Sequence, residues 1–471
     1  IGIASSMLIT IYIFSELSYD QYHENKDRIY RVYLDGKIKN QEIKGAWTPT
    51  PLAFTVKDNF PGVEDAVRLN PWGETVIRHE DKSFVEKAFV EADSTFFNII
   101  TVPLIKGNPK TALIRPNTVV LSETAASKIF GNGPAMGKTI KVGSHKTYHE
   151  VTGIMEDMPK TSHFDCNMIG SFVTSDRSNN EHWLSNNLST YFMISENASP
   201  QQVENKFPDL LREHAGPILE EFLGLSFDEF LEKGNRYAYH LQSLTDIHLN
   251  PEIEGGMKPP HNKKYIYIFS VVALMLIVIA AINYMNLSTA RASNRAKEVG
   301  LRKVAGSSKR MLVQQFLIES VIMSFISLII AVILVQLLFP YFNNLINTQL
   351  TLSYLEEWYY IPVLILLALI IGLLAGSYPS FYLAAFHPTS VMSGELKSGS
   401  KNKRVRSILV VFQFVISGAL ILGTFVISRQ TNYMLNKDLG FKKEQLVVIR
   451  RIGVLEDQIE TFKEEVNKIP G

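Results

Sequence analysis

Four long apolar segments interrupt a chain in which hydrophobic and polar residues otherwise alternate over short distances. They cover residues 265–290, 311–339, 358–386 and 407–428, and Glu319 is the only charged residue in any of them. At about 1.5 Å per residue, each can cross the roughly 30 Å hydrocarbon core of a bilayer as a helix. We therefore expect four transmembrane helices. The apolar residues 1–15 are interpreted as the outer part of a first span, with a leftover leader segment as the alternative.

Lysine and arginine are distributed unevenly around these spans. The loops 291–310 and 387–406 hold seven and five of them, whereas residues 340–357 hold none. Because cytoplasmic loops carry the excess of Lys and Arg in membrane proteins, both basic loops are expected in the cytoplasm. Residues 16–264 and 429–471, like the short loop 340–357, are then extracytoplasmic.

Residues 16–264 alternate between apolar and polar positions over short runs, a pattern typical of strands. The clearest runs cover residues 29–34, 117–122, 139–142, 148–155 and 237–242. Helical patterns follow Ser122, a candidate N-cap, and Ser199, after which a helix is predicted over 200–214. The sequence therefore predicts a membrane protein with an α-helical transmembrane bundle and an α+β extracytoplasmic domain.

The order of elements after residue 15 returns after residue 428. In both places a polar, Tyr-containing stretch precedes a strand-like run and then a helical stretch that ends at Pro-Gly, at 61–62 and at 470–471. Such a coarse match also arises by chance. Alternatively, residues 429–471 begin a second extracytoplasmic domain of a duplicated protein. In that case we expect the natural gene to continue past Gly471 with about 200 further extracytoplasmic residues and three more spans.

The amino-acid composition argues against several classes of function. Among 471 residues, 47 Lys and Arg balance 46 Asp and Glu, giving a net charge of +1. A nucleic-acid-binding protein would normally carry a basic excess. The single cysteine, Cys166, excludes an internal disulfide framework and any multi-cysteine metal site. Its thiol should react with an external reagent if it is accessible.

Catalytic and cofactor motifs are weak. Residues 131–139 (GNGPAMGKT) resemble a phosphate-binding loop, but Asn132 replaces its first glycine and a strand-like run follows, so a glycine-rich turn is expected. The eleven histidines form no HExxH motif and are expected at the surface. Glu319 has no evident charged partner at membrane depth. We therefore expect no catalytic residues, bound metal or cofactor.

The loop 291–310 predicts a short amphipathic helix over 296–305 that ends at Gly306. Val299 and Leu301 lie there among charged residues. Such a basic helix is suited to lie on anionic lipid. Equally, its continuity with the spans on either side suits it to carry force from a docked partner.

The sequence of this loop and its flanks, NYMNLSTARASNRAKEVGLRKVAGSSKRMLVQQFLIES, resembles the signature of FtsX-like and MacB-like ABC transporter permeases. The segments ELSYDQYHENKDRIYRV, VTGIMEDMP and LQSLTDIHL are similar to the MacB-like periplasmic core domain. GLLAGSYPSFYLAAFHP and DLGFKKEQLVVI resemble the duplicated, eight-span version of these permeases, and the five spans found here suggest a truncated form.

This resemblance implies a non-catalytic, multi-pass inner-membrane subunit that dimerises and works with a separate cytoplasmic ABC ATPase. A periplasmic adaptor and an outer-membrane channel are further implied partners. ATP-driven motion of the membrane spans would move the periplasmic domain, a mode called mechanotransmission, and would serve peptide or drug export or lipoprotein release. The alternative is a scaffold that activates a cell-wall hydrolase. Val299 and Leu301 would be the apolar ATPase contacts. The full set of implied coupling residues is Arg295, Lys297, Glu298, Val299, Gly300, Leu301, Arg302, Lys303 and Gly306.

Overall fold

The computed structural model describes residues 1–143, 147–290, 292–346, 350, 360–385, 400–438, 449, 455 and 458–469. The chain divides into two compact units. We call Ile1–Ser15 with Lys264–Leu446 the helical unit, and Glu16–Lys263 with Val447–Gly471 the mixed unit.

Within the described residues, the mixed unit contains one sheet of eleven strands in the order β11-β1-β10-β3-β4-β9-β6-β8-β5, with β2 on β1 and β7 on β3 and β8. The pairs β4·β9 and β6·β8 are parallel and the others are antiparallel. The strands are β1 Ile29–Ile38, β2 Gln41–Gly45, β3 Val63–His79, β4 Lys82–Ala92, β5 Leu104–Gly107, β6 Thr118–Ser122, β7 Thr139–Val142, β8 Thr147–Met155, β9 Met168–Ser171, β10 Ser189–Ile194 and β11 Arg236–Ser243.

The five strand-like runs of the sequence fall on β1, β6, β7, β8 and β11. The long hairpin of β3 and β4 was not predicted, because register shifts between Pro71 and Thr75 interrupt the alternation of side chains. Strand β10 was missed because its residues are all buried, which removes the alternating pattern. The glycine-rich segment 131–139 leads into β7 rather than into a helix, as expected for a turn.

Eight α-helices lie between residues 2 and 232 of the described chain: α1 Gly2–Leu17, α2 Leu52–Asn59, α3 Phe96–Ile99, α4 Glu123–Phe130, α5 Pro200–Glu204, α6 Phe207–His214, α7 Gly216–Leu223 and α8 Phe227–Glu232. Ser122 caps α4 by accepting a hydrogen bond from the Ala125 amide, as predicted. The single helix expected over 200–214 is wrong. Pro208 lies in the first turn of a new helix, α6, where its missing N–H is tolerated.

Alternate residues of β10 enter different hydrophobic clusters. Tyr191 and Met193 join a cluster around Phe96 and Phe164, whereas Phe192 joins another that holds residues of α2 and α6. Since successive side chains of a strand point to opposite faces, these clusters cover the two faces of the sheet at β10.

The remaining described α-helices are α9 Lys263–Ala290, α10 Ala292–Val304, α11 Lys309–Ile346, α12 Tyr360–Ala384, α13 Ser400–Asn436 and, in the mixed unit, α14 Ile459–Asn467. By length and composition, α9, α11, α12 and α13 can each cross a membrane. Helix α11 continues past the expected end of its span, through Pro340. Most of the loops 340–357 and 387–406, and the strand expected over 445–450, lie outside the described residues.

Two glycines bring α11 and α12 into close contact. A Cβ atom on Gly372 would lie 2.8 Å from the Val321 Cα, and one on Gly376 would lie 2.5 Å from the Ser320 Cβ. The two glycines are four residues apart on one face of α12, the spacing by which small residues let membrane helices approach. The Ser324 hydroxyl also donates to the Ala368 carbonyl at 2.7 Å. The two helices therefore pack backbone against backbone.

Candidate coupling site

Val299 anchors helix α10 to its neighbours α11 and α12 within the helical unit. This side chain is 1% exposed and packs in a cluster that contains Leu312 and Phe316 of α11 and Leu383 and Ala384 of α12. The expectation that Val299 offers an apolar surface to a partner is therefore wrong. The neighbouring Gly300 is buried as well.

Arg295 and Glu319 form a bidentate ion pair between α10 and α11. The two Arg295 Nη atoms donate to the two carboxylate oxygens of Glu319 at 2.8 and 2.7 Å. The expectation that Glu319 lacks a charged partner is wrong, since α10 places Arg295 beside it from 24 positions away in the sequence. Bidentate arginine–carboxylate pairs fix geometry as well as charge.

Two further basic side chains of α10 make polar contacts. Arg302 pairs with Glu298 one turn earlier at 2.6 Å and donates to the Gln315 amide oxygen of α11 at 2.8 Å. The Lys303 ammonium donates to the carbonyl of Ala384, the last residue of α12, at 2.8 Å. A helix C-terminus favours such a cation. Of the expected coupling residues, Arg295, Arg302 and Lys303 are thus brought together against α11 and α12.

The opposite side of α10 presents two exposed apolar side chains. Leu301 is 67% exposed and Val304 is 66% exposed, and their spacing of three places them side by side on the helix. Gly306 ends the turn with a φ of +96°, a left-handed conformation that favours glycine. Val304 was absent from the predicted set, although its spacing from Leu301 is a sequence signal. The side chain of Lys297 lies outside the described residues.

The expectation of surface histidines is wrong for four of them, since His23, His149, His163 and His248 are buried. His163 belongs to a polar network, in which its Nδ1 lies 2.9 Å from Asp20 Oδ2 and its Nε2 lies 2.9 Å from the Tyr191 hydroxyl. Burial acts to raise the pKa of Asp20, but the charge of His163 and its hydrogen bonds hold that pKa well below its usual range. Asp20 is therefore an ionised carboxylate inside the mixed unit.

Comparison with known families matches parts of both units. The family model of the MacB-like periplasmic core domain matches residues 1–210, and that of the FtsX-like permease C-terminal region matches residues 270–388, which include α10. The chain belongs to the FtsX/MacB-like ABC permeases. FtsX/MacB-like permeases of this kind are multi-pass inner-membrane proteins with a periplasmic domain, and the apolar helices α9, α11, α12 and α13 fit that location.

Two curated relatives of this permease are named macrolide export ATP-binding/permease protein MacB. The protein from Neisseria meningitidis serogroup A is 28% identical over 233 residues, which are 49% of this chain and 31% of the relative. The protein from Pasteurella multocida is 24% identical over 291 residues, which are 59% of this chain and 38% of the relative. The chain thus spans about a third of the length of these relatives.

Among solved structures, a domain of a permease protein from Porphyromonas gingivalis matches with a TM-score of 0.40 and 22% sequence identity. The match covers 47% of this chain and 91% of that domain.

Proposed function

We propose that this permease is the membrane subunit of an ATP-driven mechanotransmission system, and that a separate cytoplasmic ABC ATPase docks on α10. The observation that carries the proposal is the division of α10 into two faces. Val299, Arg295 and Lys303 fix one face to α11 and α12, whereas Leu301 and Val304 leave an apolar pair exposed on the other. A helix held in this way would transmit a push at Leu301 directly to the membrane helices.

We propose that the ATP-driven motion of the membrane helices acts outside the cytoplasm, on a peptide, a drug or a lipoprotein. The name of the MacB relatives, which refers to macrolide export, supports an export role. Dimerisation of the permease, a periplasmic adaptor and an outer-membrane channel belong to the same proposal. In a purified complex with its ATPase, ATP turnover coupled to release of such substrates would support transport. Turnover that instead activates a cell-wall hydrolase would identify a signalling scaffold.

Leu301→Asp should abolish co-purification of the ATPase with the tagged permease from native membranes. Truncating a buried interface anchor typically costs about 2 kcal/mol or more, and a carboxylate in an apolar groove adds desolvation. The matched control is Lys309→Glu, an exposed cation at the start of α11. Reversing a rim charge mainly changes association rate and salt dependence, so this control should retain the ATPase. Lys303→Glu is a poorer control, because Lys303 bonds to Ala384.

Co-purification is measured as ATP hydrolysis per permease, with membrane expression of each variant measured in parallel. If α10 instead lies on lipid, losing a cation near anionic headgroups costs about 1 kcal/mol, and both variants should keep their ATPase. Undiminished ATPase binding by well-expressed Leu301→Asp permease would therefore overturn the docking assignment.

The proposed orientation puts α10 in the cytoplasm and the mixed unit outside. Native Cys166 is a poor reporter, because it is 1% exposed and burial raises the pKa of its thiol to about 12. In a Cys166→Ser background, the exposed position of Ser127→Cys should react with an impermeant thiol reagent added to spheroplasts. Ala305→Cys, also exposed, should react only after permeabilisation. Labelling of Ala305→Cys from outside would reverse the orientation.

A further inference from the structure

Three ligand-type side chains of the mixed unit converge on one point. Glu16 Oε2 lies 3.0 Å from His248 Nε2 and 2.6 Å from His261 Nδ1. The three atoms lie within 4.8 Å of one another. Glu16 belongs to the last turn of α1, His248 follows the short 3-10 helix Leu244–Asp246, and His261 precedes α9 by two residues. Residues far apart in the sequence are thus brought into one cluster.

The cluster is held in place and opens to solvent on one side. Glu16 and His248 are buried, and the Tyr19 ring stacks on His248 with centroids 3.4 Å apart. The backbone amide of His261 donates to the His248 carbonyl at 2.6 Å. The His261 side chain remains 46% exposed. Two ligands are therefore fixed, and the third borders water that can supply another.

We propose that Glu16, His248 and His261 bind one Zn²⁺ ion through Oε2, Nε2 and Nδ1. Two imidazoles and a carboxylate form a donor set that zinc prefers when a fourth, open position holds water. Zinc bonds of about 2.0–2.2 Å place tetrahedral ligands roughly 3.3 Å apart. The separations of 2.6 and 3.0 Å from the carboxylate would widen to this value, and all three ligand atoms already lie within 4.8 Å of one another. The metal takes the place of the protons that now join the carboxylate to the two rings.

Because of where this site lies, zinc binding would have a structural effect that goes beyond the proposed coupling function. The chain passes between the two units near residues 15–16 and again near residues 263–264. Glu16 and His261 lie next to these two passages. A bound ion would therefore hold together the two ends of the segment Glu16–Lys263 of the mixed unit.

The test uses the full chain in detergent, stripped of metal with a chelator and titrated with Zn²⁺ alone by calorimetry. We expect one tight site per chain and zinc affinity at least about 100-fold weaker in His261→Gln. Mutating a residue that only hydrogen-bonds to a metal ligand already lowers metal affinity by about 10–100-fold. Glu16→Gln, close in shape to the native side chain, should weaken binding similarly. The matched control is His240→Gln, because His240 is 39% exposed and lies 3.9 Å from Glu204.

A second readout separates ligand loss from unfolding. Co²⁺ should give visible absorption bands of a four-coordinate site in the wild type and in His240→Gln, but not in His261→Gln. The partial exposure of His261 predicts that this variant keeps the thermal stability of the metal-free wild type. A wild-type chain that binds no stoichiometric zinc, or a His261→Gln variant that binds as tightly as the wild type, would overturn the proposal. Failure here leaves ATPase docking on α10 untouched, because the two assays share no residue.

Discussion

Asp20→Ala should destabilise the mixed unit by about 3–5 kcal/mol, because it removes a buried carboxylate that accepts from the His163 amide and the Ser162 hydroxyl, and hydrogen bonds to a charged group are worth about 1.5–3 kcal/mol each. The substitution removes the oxygens that face His163 and accept from its backbone amide at 3.0 Å. The histidine would be left buried with an unmatched ring nitrogen. Since the folded pKa of Asp20 is below its usual value, the carboxylate stabilises the fold above about pH 4 and this contribution is lost on acidification.

The buried thiol of Cys166 provides the measurement, because it packs in the same cluster as Tyr191. Its reaction with a thiol reagent requires opening of this core, so labelling of Asp20→Ala should be at least about 100-fold faster than that of the wild type. Asp209→Ala is the matched control, since its carboxylate is exposed and pairs with Arg212 on the surface. Such pairs are worth about 0–1 kcal/mol. Equal labelling rates for the two variants would show that the Asp20 network contributes little.

Val299→Asp should release α10 from α11 and α12. The new carboxylate would be buried among Leu312, Phe316 and Leu383 without a partner, at a cost of about 3 kcal/mol or more. Hydrogen exchange of the backbone amides in α10 should accelerate, and trypsin should cleave more readily at Arg302 and Lys303. ATPase binding should be lost because the docking surface is no longer held.

Leu301→Asp makes the same chemical change two residues away, at an exposed position. It should leave the exchange and trypsin resistance of α10 unchanged while also preventing ATPase binding. The pair of variants therefore separates attachment of the helix from docking on it. Native-like amide protection in Val299→Asp would contradict the anchoring role of this side chain.

The sequence predicted the features that depend on local pattern. Long apolar runs gave the helices α9, α11, α12 and α13, and Ser122 gave a helix cap because its hydroxyl needs to reach only three residues along the chain. The helical period also contained information that the prediction neglected. Val299 and Leu301 are two residues apart, about 200° around a helix, so they cannot share a face. One of them had to point inward.

Other features depend on contacts between distant segments. The pairing of Arg295 with Glu319 requires the chain to reverse near Gly306, and no pattern in either residue's neighbourhood encodes the partner. Burial of His163 and His248 likewise depends on Asp20 and Glu16, which lie more than 140 positions away. A polar residue can enter a core when a partner compensates for lost hydration, and a single sequence does not name that partner.

The close packing of α12 on α11 also affects how far a small movement of α10 is transmitted. Helix α11 has 38 residues and is therefore about 57 Å long. Its first three turns carry Leu312, Gln315, Phe316 and Glu319, the side chains that hold α10. Because α12 lies close against it at Gly372 and Gly376, the pair should be stiffer than one helix, and in the proposed mechanism it would act as a lever arm. A tilt of about 5° would displace the far end of α11 by about 5 Å. This displacement is larger than the movement that breaks a single side-chain contact.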